Sequence, residues 1–560
     1  MVRPSFWACS RPFGRLQRTA LDLFQNSAFL NSTTLRFTST KSSKERLRVA
    51  VVGGGAAGLS TALHLAPLVT QGLIGGPIDV FDSEDKPSNR EIGVGVWSTA
   101  LSSFQENPND AHQLAYQDMI KRGTFVHEVG YRTPRGDWLA ESNLDGEGLP
   151  DLLFLRETDM LAALRKAIHV EVNRGNVMVH SGSHYKVDSI MEDNNTAPWS
   201  APLMLLKDGP GKSAERTERD YHLIVAADGM DSVLRKAYGG FNIQSRVLTG
   251  MYAIDDSTGG LSGVDAQGNS NATQRDEWAI SNQAEAIGIQ DRNYDVFRGN
   301  APVTREEVEG LEVSFQTWGE GQNMRFATVP MIYPGADGQK EERHVWFITI
   351  DDDKISSETD PVKLKEMLLY AFRDWHDPIR QLVEATSPYE ILKERALAHR
   401  HSQQPVVDLY GLINKVRQKS IPAVGSGPVI QYAGDAFLTV DPILAQGFTV
   451  GMEGAASLAH ALSTTLHVDT KNPNSALAFD PYLLRQELMR RHDLRLHRLI
   501  CLLRITELVQ ALGQPITGTM TGLLSRDIIR PAMRITPSFI KTPVFNSVMK
   551  YSLGLPDRST

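Results

Sequence analysis

Cysteine is almost missing from this chain of 560 residues: only Cys9 and Cys501 occur, with no paired spacing for a zinc site or a redox dithiol. That excludes a disulfide framework and indicates a reducing compartment. No apolar run reaches the roughly 18 residues that a membrane-spanning helix needs, so none is expected. Basic residues do not dominate either. A net charge of −8 lacks the footprint that phosphate backbones demand, which argues against nucleic acid as a partner. Internal repeats are absent as well. What remains is a globular composition, with 41% hydrophobic and 22% charged residues and a mean hydropathy of −0.26. At roughly 150 residues per domain the length allows two to four domains, and two intimately joined domains is our reading.

Residues 1–46 differ from the rest. Arg3, Arg11, Arg15, Arg18, Arg36, Lys41 and Lys44 stand against Asp22 and Glu45, with many Ser and Thr between. This is transit-peptide chemistry, with an amphipathic segment at 13–25 and a processing-like Arg36-Phe37-Thr38. Import into mitochondria is the expectation; a plastid transit peptide and a plain polar tail are the alternatives.

Hydrophobic periodicity predicts a strand over 46–52, a helix over 57–68 and a second parallel strand over 78–81. A long helical stretch at 99–122, a hairpin around 130–139 and a helix at 158–174 follow. Strands are predicted at 176–180, 203–207 and 222–226. Polar stretches 191–200 and 208–220 read as loops, and 255–275 as a mobile one. The region 241–425 reads as a mainly antiparallel domain, with strands such as 313–317, 324–329 and 345–350. Helices are expected at 451–462 and, long, basic and amphipathic, at about 482–512.

Three segments carry chemistry. Gly53-Gly54-Gly55-Ala56-Ala57-Gly58 sits between the first strand and helix, the context a dinucleotide fingerprint needs. Gly53 permits the tight turn, Gly55 lets the backbone approach a pyrophosphate, and Gly58 allows close helix packing. Unpaired amides at the helix start then face the diphosphate. Asp82 ends the next strand, where a carboxylate accepts both hydroxyls of an adenosine ribose and disfavours a 2'-phosphate. The second segment is Asp228-Gly229-Met230-Asp231-Ser232-Val233-Leu234-Arg235. The third is Gly434-Asp435, followed by Asp441-Pro442 and Gly447.

The trio resembles the FAD-dependent aromatic hydroxylases, the single-component flavoprotein monooxygenases, over roughly residues 47–555. The resemblance implies an α/β (α+β) fold: a Rossmann-like FAD-binding domain of the glutathione-reductase and aromatic-hydroxylase type, an interleaved mainly antiparallel substrate domain, and C-terminal helices. Expected boundaries are 47–240 for the first part of the FAD-binding domain, 241–425 for the substrate domain, 426–480 for completion of the FAD-binding domain, and 481–560 for the helical region. By the same resemblance Asp228 lies near FAD, Asp435 binds the ribityl chain, and the backbone at Pro442 and Gly447 faces the isoalloxazine. Ile92-Gly93-Val94-Gly95-Val96-Trp97 is similar to the family's glycine-rich loop beside the flavin. Arg90 before it would neutralise pyrophosphate, and Arg156 is similar to an FAD-contacting arginine. Phe437, Leu444 and Thr449 depart from the family pattern at the flavin edge.

What the resemblance implies is a tightly bound FAD, reduced by transient NAD(P)H, reacting with O2 to a flavin hydroperoxide that hydroxylates an aromatic or polyprenyl-phenol substrate. No second glycine fingerprint occurs, so no separate NAD(P)H domain is expected. A tail similar to that of ubiquinone-biosynthesis hydroxylases points to a lipophilic substrate and partners in a biosynthetic complex. The leucines and arginines of 483–504 suit either packing on the FAD domain or peripheral attachment to an anionic membrane. A related flavin reductase or halogenase, and a non-catalytic prenyl-binding relative, are the alternatives. No base is named: His344, His376, His399 and Tyr432 lie in suitable regions, but a lone histidine is more often structural. His399 and His401 lack a third ligand at helical or strand spacing, so no metal is expected.

Overall fold

The computed structural model describes residues 46–84, 92–144, 149–191, 200–206, 215–235, 289–319, 324–334, 339–399, 428–466, 481–513 and 523–553. They belong to one compact unit spanning Lys44–Thr560. The predicted transit peptide, Arg90, His401 and the 255–275 loop lie outside the described residues, as does the side chain of His399.

A parallel sheet of five strands runs in the order β18 (Val429–Tyr432), β12 (Leu223–Ala226), β1 (Val49–Val52), β2 (Ile78–Asp82) and β8 (Val177–Ser181). In β1 and β12 every residue is apolar and buried, the pattern of strands covered on both faces. Helices α1 (Ala56–Thr70), α4 (Glu157–Asn173) and α7 (Gly447–Thr465) contribute to the core that includes β1 and β2. Two more helices, α2 (Ser98–Gln105) and α3 (Asp110–Arg122), replace the single predicted stretch 99–122. Pro108 cannot continue a helix, and the Asn109 side chain accepts from the Ala111 amide at 2.8 Å to start the next one.

The second large sheet has seven strands, ordered β17 (Leu392–His399), β13 (Ile289–Ala301), β16 (Lys340–Ile350), β15 (Arg325–Pro334), β14 (Ser314–Trp318), β5 (Glu128–Arg132) and β6 (Trp138–Asn143). Its pairs are antiparallel except β14 with β5. This second sheet thus recruits strands from residues 128–143, far ahead in sequence. Helices α5 (Pro361–Ala371) and α6 (Ile379–Ala385) cover it with Leu364, Leu368, Leu382 and Val383 against Phe326 and Trp346.

Two antiparallel three-stranded sheets complete the β-structure. In the first, β7 (Leu152–Arg156) lies between β3 (Gly93–Trp97) and β4 (Thr124–Val126). The glycine-rich segment expected as a loop is therefore a strand, buried throughout and paired from Gly93–Arg156 to Trp97–Leu152. In the other, β10 (Ala201–Leu205) separates β9 (Val187–Ile190) from β11 (Glu215–Tyr221). Of the loop expected over 208–220, residues 208–214 lie outside the described residues, and strand β11 corrects the rest: its ladder to β10 supports a polar sequence that local patterning reads as coil.

Helix α8 (Pro481–Gly513) is long as expected, but its arginines do not form one solvent-facing basic side. Arg495 donates to Val450 O at 2.9 Å, Arg498 donates to Gln446 Oε1 and Ser552 O, and Arg504 is buried. Packing against α7 and the terminal helices α9 (Arg530–Ile535) and α10 (Ser538–Ser552) turns them inward. Among the described residues no helix is long and apolar enough to cross a membrane.

Candidate cofactor and substrate site

Gly53 leaves β1 with φ 115°, a left-handed conformation that favours glycine. A Cβ there would lie 2.2 Å from Ala227 O, so the first and second motifs touch backbone to backbone. The Gly53 amide donates to Phe81 O at 2.7 Å, and the Ala227 amide to Val52 O at 2.7 Å. Gly58 packs against the same turn, its absent Cβ only 1.9 Å from Gly53 O. Gly55 caps α1 without a side chain, and a Cβ on it would meet nothing within 4 Å. Ala56 is buried, and Ala57 lies where the third motif arrives: a Cβ on Gly434, itself at φ 57°, would sit 2.7 Å from Ala57 Cβ. Small residues on both sides let backbone meet backbone.

Asp82 ends β2 beside this turn, its carboxylate 2.0 Å from where a Gly54 Cβ would be, and accepts from the Glu84 amide at 3.2 Å. Asp228 accepts from the Val233 amide at 2.9 Å through Oδ2, while its buried Oδ1 has no hydrogen-bond partner among the described residues. Arg235 ties the second motif to the third. It donates to Asp435 O at 3.2 Å and Ala436 O at 3.3 Å, and also to Met230 O. Burial pushes its pKa down, with nearby Asp228, Asp231 and Asp435 opposing that shift.

The third motif borders a cavity of about 510 Å³, within the range of small-molecule sites. Asp435, Pro442 and Gly447 line it on one side, with Gly95 and Trp97 of β3; Gln316, Arg325 and Thr328 line the opposite sheet. One departure from the family pattern, Thr449, acquires a role through its side chain, and the main chain at Leu444 supports it. Thr449 Oγ1 accepts from the Trp97 amide at 3.0 Å, and Leu444 O accepts from Trp97 Nε1 at 3.4 Å, fastening β3 to the third motif. Phe437 is core. Ala445 takes φ 51°, a strained conformation for a residue with a side chain, and Gly95 leaves room for it. Arg156 pairs with Gly93 through β7 and donates to Asp159 at 2.6 Å. It is therefore beside the glycine-rich strand, but held in an ion pair.

Several residues that matter here lay beyond the sequence reading. Tyr294 donates to Asp441 Oδ2 at 2.7 Å, and Arg292 lies 3.6 Å from the same carboxylate, pinning the residue before Pro442 from the seven-stranded sheet. Burial and Asp441 hold the Tyr294 phenol well above its usual range, so it stays a donor. No local signal marks a pair 147 positions apart. Of the candidate bases, His344 does not line the cavity, and burial lowers its pKa to about 4. His376 is also outside it, bonded to Thr317 Oγ1 at 2.8 Å and Asp377 O at 2.6 Å. Tyr432 is buried at the end of β18, away from the lining.

No family model matches the chain, and no curated protein sequence matches it. Solved structures do. HpxO of Klebsiella pneumoniae, complexed with FAD and uric acid, superposes with a TM-score of 0.56 at 15% identity, covering 92% of this chain and 100% of HpxO. PqsL of P. aeruginosa, in complex with 2-aminobenzoylacetate, gives 0.52 at 13%, covering 88% and 100%. The 2,6-dihydroxypyridine-3-hydroxylase of Arthrobacter nicotinovorans gives 0.51 at 15%, covering 86% and 96%. The chain has the fold of the FAD-containing aromatic hydroxylases.

Proposed function

We propose that this protein is an FAD-dependent monooxygenase that uses NAD(P)H and O2 to hydroxylate an electron-rich aromatic substrate. The observation that carries the reading is the joining of three distant motifs, Gly53 with Ala227 backbone to backbone and the Arg235 guanidinium with the Asp435 and Ala436 carbonyls, beside a cavity walled by a second sheet. The residues fit FAD. Glycines keep the α1 start bare for a diphosphate, Asp82 offers a carboxylate for ribose hydroxyls, and the orphaned Asp228 Oδ1 offers a buried acceptor. When bound, FAD supplies the redox chemistry: acceptance of hydride and activation of oxygen. Pro442 to Gly447 would hold the cofactor at the cavity, and the opposite sheet would orient the substrate and exclude water.

Purified protein should be yellow and should oxidise NAD(P)H faster when a suitable phenol is added, with one atom of labelled O2 in the product by mass spectrometry. A colourless preparation that cannot be reconstituted with FAD would sink the proposal. NADH and NADPH are compared in the same assay.

A second element of the proposal concerns a lipophilic, polyprenyl-phenol substrate reached at a membrane surface. Leu523, Leu524, Ile528, Ile535, Phe539, Ile540 and Val544 are exposed on and before α9 and α10, an unusual concentration for a soluble surface. Cosedimentation with anionic vesicles, lost in an Ile535→Glu, Phe539→Glu variant, tests it; equal sedimentation of the two proteins removes the membrane reading. Mitochondrial import through residues 1–46 is proposed alongside, and is tested by localising a fluorescent fusion with and without them.

A further inference from the structure

Three arginines line the cavity among the described residues, and two are neutralised. Arg298 pairs with Glu394 at 3.0 Å, and Arg395 with Asp291 at 2.9 Å and Asp295 at 3.3 Å. Arg325 is different. It is 5% exposed, its Nη1 is buried without a partner, and its guanidinium makes no hydrogen bond or ion pair with any described residue. A buried cation without a counter-charge is strongly destabilising unless a ligand supplies one.

Its neighbours sharpen the chemistry. In the sheet register Trp318 faces Arg325, Gln316 faces Ala327, and Gln316 also faces Tyr131 of β5. Because side chains alternate along a strand, Tyr131, Gln316 and Arg325 share one face of three adjacent strands, and all three line the cavity. Gln316 Nε2 is committed to Ile443 O at 3.0 Å, which leaves its buried Oε1 as an acceptor without a partner. The Tyr131 hydroxyl bonds to no described residue; burial pushes its pKa up to about 12, so it is a neutral donor.

We propose that Arg325 is the oxyanion-binding residue of the substrate pocket, so that the substrate is an aromatic ring bearing an acidic oxygen, with an adjacent O–H or N–H received by Gln316 Oε1. The guanidinium fork suits a carboxylate or an ionised enol, and Tyr131 adds a second donor. The diphosphate of FAD is not the missing anion: the Gly53 to Gly58 turn is not part of the cavity lining. This inference rests on the monooxygenase reading for the word substrate, yet it is tested without turnover.

The experiment is calorimetric binding to the FAD-loaded protein, using salicylate against salicylamide and anthranilate against anthranilamide. At least one acid should bind about ten- to hundred-fold more tightly than its amide, the range expected for a buried charge-assisted hydrogen bond. Arg325→Gln should abolish that preference by weakening acid binding far more than amide binding, with FAD content retained, and Arg325→Lys should keep part of it. No acid preference in the wild type, its survival in Arg325→Gln, or an equal loss of acid and amide binding overturns the inference. The wild-type ratio needs no variant to fold. Failure to bind FAD at all would instead strike the monooxygenase reading.

Discussion

Arg235→Met removes the cation that joins the second motif to the third while keeping most of the buried aliphatic volume. Arg235 is 8% exposed and donates to three main-chain carbonyls, those of Met230, Asp435 and Ala436. A hydrogen bond from a charged donor contributes about 1.5–3 kcal/mol, but three sharing one guanidinium are not additive. We therefore expect a loss of about 3–5 kcal/mol, the scale for stripping one partner from a buried charged network. Total stability is about 5–15 kcal/mol, so the variant should fold but melt about 3–5 °C lower, since a unit of this length unfolds with an entropy of about 1 kcal/mol per kelvin. Arg235→Lys should fall between, since one ammonium cannot span three carbonyls in a fixed fork. Differential scanning fluorimetry, with FAD content from absorbance, reads both effects. A variant melting within about 1 °C of wild type, with FAD retained, would refute the claim that this arginine couples the motifs.

Other outcomes follow from single contacts. Gly58→Ala should abolish FAD retention, because its Cβ would stand 1.9 Å from Gly53 O; unchanged cofactor content would contradict the close packing of that turn. Tyr294→Phe deletes the bond to Asp441 and should raise the ratio of hydrogen peroxide to hydroxylated product while FAD binding persists, since Ile443 N still holds Asp441 at 3.1 Å. His112 is buried with neither ring nitrogen bonded among the described residues, and burial lowers its pKa to about 3. It stays neutral in the folded state but is protonated below about pH 6.5 when unfolded, so the stability it confers is lost as pH falls. His112→Phe should therefore flatten the decline in stability below pH 6.5 by about 1.4 kcal/mol per pH unit, measured by urea titration at several pH values; parallel curves would refute the assignment.

Legibility followed sequence distance. The turn from Gly53 to Gly58, the parallel strands β1, β2 and β12, and the helices after the first and third motifs were readable because glycine spacing and apolar runs are local signals. Strand β11 and the break before Asn109 were missed, the first because a polar strand is held by its partner rather than by its own pattern. Arg90 and the His399 side chain lie outside the described residues. His344 and His376 stood in suitable regions of the chain, yet neither reaches the cavity.

The sequence by itself determined the α/β fold class and the identity of the segments that converge, because each needs a residue type at a fixed spacing that only a few backbone conformations accept. Tertiary structure alone decided what fastens them and which side chains line the pocket. Thr449 and Leu444 holding Trp97, Tyr294 pinning Asp441, and Arg325 without a counter-charge among the described residues are facts of pairing between segments far apart in the chain. An arginine written in a sequence carries a charge, but only packing shows whether that charge has a partner.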